Sequence, residues 1–317
     1  MLPRNPALGL SLVTLGALLF IVNAGVSRVA LRAGVDPVTL TTIRVTGTFV
    51  VLLLVAALVR RSALRPPPGR LRLLVVAHGL IGVAALQWAY FVAIDRLPVG
   101  MALLLEYQAP ILVAVWARVV QKEAVRPRMW LGLALAMAGL AAATGIWKGA
   151  IFDPLGIAAG LCAAVCFASY FLIGEAGVAS LDPLRVIVWS FLVGSIALNV
   201  VSPITDLDTS LLGQEVSLLG ALEEYVAPVW LLLVWIVVLG TVVPFAVELI
   251  ALRHLSATAV TMIAMLEPVG VIVLGWLWFA ESLDPTGTAG VVAVIAGIVL
   301  AQTARRAHVQ VEPTIVT

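Results

Sequence analysis

The sequence predicts an all-α membrane protein of ten transmembrane helices, arranged as two inverted-topology five-helix repeats. Three observations lead to this fold class. Hydrophobic residues make up 62% of the 317 residues and charged residues 11%, against about half and about a quarter in soluble domains. The apolar residues form ten long runs, and a block from the first half of the chain aligns without a gap with a block from the second half.

Each apolar run approaches the roughly 20 residues that cross a bilayer and is bounded by charges or by Pro and Gly. The predicted spans are 8–30, 38–59, 71–94, 99–120, 130–147, 154–176, 184–202, 228–250, 257–279 and 286–303. Most connections are short, but the loop 203–227 has five acidic residues and no Lys or Arg. The first run continues past Asn23 and has a counterpart later in the chain, which favours a span over a cleaved signal peptide.

The distribution of Lys and Arg predicts the orientation, because basic residues concentrate in cytoplasmic loops. With a cytoplasmic N-terminus, 14 of the 19 basic residues lie inside. They are Arg4, Arg60, Arg61, Arg65, Arg70, Arg72, Arg118, Lys122, Arg126, Arg128, Arg185, Arg253, Arg305 and Arg306. Both termini are therefore expected in the cytoplasm, and the acidic loop 203–227 is expected to face outward.

The internal repeat is clearest between residues 97–140 and 255–298. The matched residues are Leu97 and Leu255, Pro110 and Pro268, Glu123 and Glu281, Pro127 and Pro285, Gly132 and Gly290, and Gly139 and Gly297. Because each repeat holds an odd number of spans, the second enters the membrane from the opposite side. The expected organisation is a first repeat over 1–149, a second over 150–304 and a cytoplasmic tail over 305–317. A duplication that only built a larger bundle is the alternative.

This pattern resembles the EamA-type transporters of the drug/metabolite transporter superfamily. Ten spans, two five-span repeats and the Pro110…Glu123 and Pro268…Glu281 blocks carry the resemblance over nearly the whole chain. Two stretches are similar to bacterial threonine/homoserine exporters of this family, LPVGMALLLEYQAP (97–110) and TVVPFAVELIALRHL (241–255). The resemblance implies a secondary transporter of the bacterial inner membrane that exports a small metabolite, with an amino acid as the first candidate, by alternating access.

Four ionisable residues fall inside predicted spans, where charge is costly and indicates function by default. They are Arg44, Glu106, Glu248 and Glu267. The carboxylates are predicted to attract a substrate ammonium group or to carry a proton. For Arg44 two interpretations stay open, a carboxylate-binding or ion-pairing group, with Glu267 as one partner, and a side chain that reaches the interface.

Prolines accompany the three carboxylates. A proline removes a backbone donor, and in a membrane the freed carbonyl needs another partner. Pro110, Pro244 and Pro268 are therefore predicted to break helices along the transport path. Pro110 and Pro268 are matched between the repeats, whereas Ala109 stands opposite Glu267 and Ala264 opposite Glu106.

Uncharged polar residues share helical faces with these groups. The candidates for substrate contact are Asn23, Gln87, Tyr90, Tyr107 and Tyr170, and interhelical packing is an equal alternative for each. His78 favours a packed role over a proton relay. Glu123 and Glu281 lie at loop edges and are interpreted as capping or gate-pairing residues.

Other function classes find little support in the sequence. We find no HExxH, GxSxG or Walker motif, so a membrane enzyme is a weak alternative, and a structural or sensory subunit is a third. No cofactor, metal or nucleic-acid partner is expected. The expected partners are a small-molecule substrate, a proton as a candidate second cargo, and the lipid bilayer, whereas the oligomeric state and the direction of transport are left open.

Overall fold

The structure of the protein, a computed structural model, describes residues 5–97, 99–148, 153–281 and 284–303. The predicted tail 305–317 and the basic residues Arg4, Arg305 and Arg306 lie outside the described residues. The described part is almost wholly helical, which confirms the predicted all-α membrane fold. The exception lies in the acidic loop, where β1 (Glu215–Ser217) and β2 (Val226–Pro228) form a small antiparallel hairpin that the sequence interpretation missed.

The first half of the chain folds into seven α-helical pieces. They are α1 (Pro6–Arg32), α2 (Pro37–Val59), α3 (Arg70–Ala77), α4 (Leu86–Arg96), α5 (Val99–Glu106), α6 (Ala109–Val119) and α7 (Pro127–Thr144). A π-helical segment, His78–Ala85, joins α3 to α4 in one continuous rod. Short 3-10 turns, Arg61–Leu64 and Ile146–Lys148, lie outside the long helices.

The second half repeats this order. Its helices are α8 (Pro154–Ser180), α9 (Pro183–Val201), α10 (Val229–Val237), α11 (Val243–Ala251), α12 (Ala257–Ala264), α13 (Leu266–Phe279) and α14 (Pro285–Thr303). A π-helical segment, Val238–Val242, joins α10 to α11. Three 3-10 turns, Ile204–Asp206, Thr209–Leu211 and Gly220–Leu222, lie in the acidic loop.

Eight of these rods are long and apolar enough to cross a membrane. They are Pro6–Arg32, Pro37–Val59, Arg70–Arg96, Met101–Val119, Pro154–Ser180, Pro183–Val201, Val229–Ala251 and Ala257–Phe279. A further apolar helix, Pro285–Ala301, is shorter, and α7 has 18 residues. The count of ten spans therefore stays a prediction for α7 and α14.

An Asn or Asp followed by proline starts four of the long helices. The side-chain oxygen accepts a hydrogen bond from a backbone N–H that the first turn leaves unpaired, and proline at the first helical position has no N–H to satisfy. The four caps are Asn5, Asp36, Asp153 and Asp182. They begin α1, α2, α8 and α9, so the same signal starts the first two helices of each half.

Helices α7 and α14 pack on each other through small residues. A Cβ added to Gly132 would lie 2.6 Å from the Gly297 carbonyl oxygen, and one added to Gly139 would lie 2.7 Å from the Gly290 carbonyl oxygen. The two backbones are thus in direct contact, an arrangement that small residues permit between membrane helices. The two helices are antiparallel. If each glycine is exchanged for its matched glycine, Gly132 for Gly290 and Gly139 for Gly297, one contact becomes the other.

Candidate functional site

Two broken helices meet in the interior of the bundle. Helix α5 ends at Glu106 and α6 begins at Ala109, while α12 ends at Ala264 and α13 begins at Leu266. Glu106 and Ala264 are matched positions of the repeat, so both rods break at the same place. Pro110 and Pro268 fall in the first turn after each break, where a proline needs no backbone partner. Helices α6 and α12 pack against each other, which brings the two breaks together.

A hydrogen bond joins the two broken helices. The Tyr107 hydroxyl donates to Oε2 of Glu267 at 3.0 Å, and the edge of the Tyr107 ring packs on Phe167 with centroids 5.8 Å apart. Oε1 of Glu267 is buried and has no hydrogen-bond partner among the described residues. One carboxylate oxygen is therefore held in place, and the other is available to a ligand or a proton.

The other two carboxylates lie in the same interior region. Glu248 is buried, and its Cγ lies 3.3 Å from the point where a Cβ on Gly16 of α1 would stand. Glu267 lies within electrostatic range of both Glu248 and Glu106, so that the like charges of these carboxylates repel one another. Glu106 is likewise near Tyr90. The structure thus places Glu106, Glu248 and Glu267 in one interior region, and their role in binding or proton coupling stays a prediction. No Arg, Lys or His forms an ion pair with any of them within the described ranges.

An aromatic cluster lies beside Glu248. Phe245 packs edge-on against three rings, those of Phe20 at 5.2 Å, Tyr170 at 5.5 Å and Phe191 at 5.4 Å between centroids. The Tyr170 hydroxyl is buried without a hydrogen-bond partner in the described part of the chain and interacts electrostatically with Glu248. The site therefore combines negative charge, an unsatisfied hydroxyl and aromatic faces.

His78 fixes the position of Tyr170. Its Nε2 lies 3.1 Å from the Tyr170 carbonyl oxygen, its Nδ1 lies 2.8 Å from the Ser190 hydroxyl, and its ring stacks on the Tyr170 ring at 4.7 Å. Because a carbonyl can only accept, Nε2 carries the hydrogen and Nδ1 accepts from Ser190. Both ring nitrogens are thus engaged, which agrees with the predicted packed role.

The π-helical segments occupy matched places in the two halves, and one of them lies directly before Pro244. The α-helical pattern is interrupted at Val238–Val242 and resumes in α11 with Pro244 in the first turn, so the disruption predicted at this proline takes the form of a π segment within a continuous rod. Within the segment the Thr241 hydroxyl donates to the Ile236 carbonyl at 2.7 Å, which satisfies an acceptor in the altered turn. Such segments often mark functional sites.

Three predicted site residues lie apart from this contact network. Asn23 lies directly against Gly240 of the π segment, and its Oδ1 has no hydrogen-bond partner among the residues described. Nε of Arg44 is likewise buried and unpaired. The suggested Arg44–Glu267 ion pair is wrong, since the described partner of Glu267 is Tyr107. Gln87 is partly buried on α4, the helix that carries Tyr90.

Some residues of the site escaped the sequence interpretation. Phe245, Phe191 and Ser190 carry no charge and stand in apolar runs, where any aromatic or serine is ordinary packing material. The spacing of Phe245 one residue after Pro244 and three before Glu248 was a usable signal, because it places the ring on the carboxylate-bearing turns. Within the described residues, no group of three His, Cys, Asp or Glu could hold a metal ion.

Fold and site together define a multi-pass helical membrane protein with a carboxylate-bearing interior. The EamA-like transporter family matches residues 7–145 and 154–303. Since this match spans most of the sequence, the chain belongs to the EamA-like transporter family. The family and its relatives are transporters, which removes the enzyme alternative.

Individual relatives are more distant. The chain is 26% identical over 227 residues to the threonine/homoserine exporter RhtA of Escherichia coli strain K12, covering 71% of this chain and 69% of RhtA. An uncharacterized transporter of Archaeoglobus fulgidus is 26% identical over 226 residues, covering 70% and 75%. A protein of known crystal structure superposes with a TM-score of 0.74 at 20% identity over 94% of this chain and 99% of its own, which supports the fold.

Proposed function

We propose that this transporter exports a small metabolite, with an amino acid such as threonine or homoserine as the first candidate, across the bacterial inner membrane by alternating access. The observation that carries the proposal is the set of three interior carboxylates without a basic partner in the described residues. Carboxylates in a membrane interior are costly and would be stabilised by a substrate ammonium group. The name of the RhtA relatives supports the amino-acid candidate.

The proposed route lies between two inverted repeats, 1–149 and 150–304. Helix breaks and π segments at matched positions support the duplication. The antiparallel α7–α14 contact supports the inversion. A two-fold rotation that exchanges the two helices also exchanges their matched glycines. Its axis is perpendicular to the helices and therefore lies in the membrane plane. In such transporters one repeat rocks against the other around a central site. The distribution of Arg and Lys supports a cytoplasmic location for both termini.

Within the site we assign different roles to the carboxylates. Glu267 has one oxygen held by Tyr107 and one unpartnered, so it is the candidate for direct binding of an ammonium group or exchange of a proton. Glu248, beside Phe245 and Tyr170, is the candidate second anchor. Glu106 would add negative charge from the other repeat.

A second candidate substrate class follows from the aromatic cluster. Rings of Phe20, Tyr170 and Phe245 lie next to Glu248, and aromatic faces attract organic cations. This arrangement favours a hydrophobic amine or another drug-like cation over a small polar amino acid.

A resistance and efflux screen tests these alternatives. Cells that overproduce the chain are challenged with toxic levels of threonine, homoserine, other amino acids and hydrophobic amines, and efflux of each labelled compound is then measured. The proposal predicts resistance and faster efflux for a compound with an ammonium group. Loss of both in the Glu267→Gln variant, with retention in Glu123→Gln, supports the site, whereas no efflux of any such compound contradicts the function.

A further inference from the structure

The acidic loop and the end of α13 form a cluster that the proposed binding site does not use. Nη1 of Arg28 in α1 lies 2.5 Å from Oε1 of Glu281. The Arg28 guanidinium also lies 4.3 Å from the centroid of the Phe279 ring, within the range of a cation–π interaction. A single arginine thus connects α1 to Phe279, the last residue of α13, and to Glu281, two residues further along the chain.

The loop covers this cluster. The Trp278 indole N–H donates to the Leu218 carbonyl at 3.0 Å, and its ring stacks on Phe279 at 5.2 Å. Gly220 packs directly on the backbone of Trp278 and has φ of 55°, a left-handed conformation that favours glycine. We call Arg28, Trp278, Phe279 and Glu281, together with the loop segment 218–220 that covers them, the latch.

The opposite end of the bundle has the same backbone without the latch. The Glu281 N–H donates to the Gly275 carbonyl at 3.1 Å, and the matched Glu123 N–H donates to the Ala117 carbonyl at 2.9 Å. Preceding residues Ala280 and Lys122 have φ of 53° and 58°. The two turns after α13 and α6 are therefore copies of one another.

Side chains make the two copies different. Oε2 of Glu281 folds back to within 2.5 Å of the point where a Cβ on Gly275 would stand, so the side chain lies directly over this glycine. Ala117 holds the matched place, and the exposed Glu123 has no ion pair among the described residues. Val120 and Gln121 replace Trp278 and Phe279, and α8, the counterpart of α1, contains no Arg or Lys.

We infer that Arg28 and Glu281 are gating residues that, with the acidic loop, hold the transport path closed on the face of the bundle where the loop lies. This inference rests on the proposed transport function and adds its regulation. Opening that face requires α1 to separate from the end of α13, which breaks the ion pair and the cation–π contact. The matched turn on the other face imposes no such requirement, so the chain favours the state that is closed on the loop side.

Thiol labelling of the full chain in membrane vesicles tests the latch without relying on transport. Cys162 and Cys166 are first replaced by alanine, and Ser27→Cys then provides a reporter beside Arg28, because the Ser27 hydroxyl is buried and unpartnered in the described structure. A separate Gly213→Cys variant, at an exposed loop position, identifies the side of the membrane on which the loop lies. Modification by a membrane-impermeant maleimide is timed in right-side-out and inside-out vesicles.

The expected result is slow labelling of Cys at position 27 from the loop side in the parent. Arg28→Gln and Glu281→Gln should each accelerate it by about threefold to tenfold, as expected for an exposed ion pair with a cation–π contact. The exchange Arg28→Glu with Glu281→Arg should slow it again, and Glu123→Gln should have no effect. Equal labelling rates in parent and Glu281→Gln, or equal acceleration by Glu123→Gln, would overturn the latch. Neither outcome depends on efflux, so the latch and the transport function can fail separately.

Discussion

In α5–α6 the carboxylate Glu106 is the last residue before the break, whereas in α12–α13 Ala264 holds that place and Glu267 stands three residues later. The backbone break and the following proline are the same in both rods. The hydrogen bond between Tyr107 and Glu267 connects them unequally, with the hydroxyl from one and the carboxylate from the other. The comparison teaches that the two rods share the place of the break and of the following proline, whereas their carboxylates stand at different positions.

Removal of a buried interior carboxylate should have the largest effect. Glu248→Gln keeps the size of the side chain but removes the charge that would bind an ammonium group, and interactions with charged groups contribute about 1.5–3 kcal/mol. We expect efflux to fall by about tenfold or more, measured in the overproducing cells. Glu123→Gln, the exposed carboxylate of the other repeat, is the matched control, and equal efflux in the two variants would show that position in the interior does not matter.

A substitution in the α7–α14 pair should unfold the scaffold more readily without touching the site. In Gly139→Val the new side chain meets the Gly290 carbonyl and Ala293, and overpacking of this kind costs about 1–3 kcal/mol. Thermal unfolding in detergent should shift to lower temperature, whereas Ala138→Val, on the exposed neighbouring position, should leave it nearly unchanged. Identical unfolding of the two variants would contradict the close backbone contact.

The link between the two broken helices should have an intermediate effect on transport. Tyr107→Phe removes the hydrogen bond to Glu267 but keeps the ring on Phe167, and a hydrogen bond to a charged group is worth up to about 1.5–3 kcal/mol. Because the carboxylate itself stays in place, we expect a smaller loss of efflux than this full value, about threefold to tenfold, while thermal stability changes little. Tyr225→Phe, in the exposed loop, serves as control. A Tyr107→Phe variant with full activity would mean that the bond is not needed to position the carboxylate.

The smallest effect concerns the helix caps of the two halves. A hydrogen bond from the Gly156 N–H lowers the pKa of the Asp153 carboxyl, and Arg96 lowers the pKa further. Because this pKa is lower in the folded state than in the unfolded state, the cap stabilises α8 above the usual aspartate range and loses that contribution as pH falls through the lowered value.

Asp153→Asn tests this difference, since Asn5 already caps α1 at the matched position and asparagine caps as well as aspartate. The variant should match the parent near neutral pH and lose less stability on acidification, as followed by thermal unfolding across pH. If the unfolding temperature of the variant falls with decreasing pH as steeply as that of the parent, the loss of stability in acid must come from other carboxylates.

Much of the scaffold could be predicted from the sequence, because apolar runs, Asx-Pro caps and the two matched prolines each have a direct structural consequence. The rods at 37–59 and 257–279 begin and end within a residue or so of their predicted bounds. The hairpin 215–228 could not be predicted, since its strands are three residues long and alternation marks a strand only over about four to eight residues. The π segments also leave no periodic signal of their own.

The sequence identified the charged residues of the site, but it did not predict which residues contact them. Glu106, Glu248 and Glu267 were marked by charge inside apolar runs, which any reader of the sequence can see. Their partners depend on which helices touch, and this explains why Arg44 was a plausible partner of Glu267 although Tyr107 is the observed one. The latch needed both the repeat alignment and the fold, because Arg28 and Glu281 lie on different halves of the chain.

Counterflow in proteoliposomes of the purified chain tests the central claim most directly. The vesicles are loaded with the compound that the efflux screen identifies, and uptake of the labelled compound is measured for the parent, Glu267→Gln and Glu123→Gln. The account predicts rapid exchange by the parent and Glu123→Gln, and exchange reduced by about tenfold or more in Glu267→Gln. Undiminished exchange with unchanged pH dependence in Glu267→Gln would contradict it and remove this carboxylate from the mechanism.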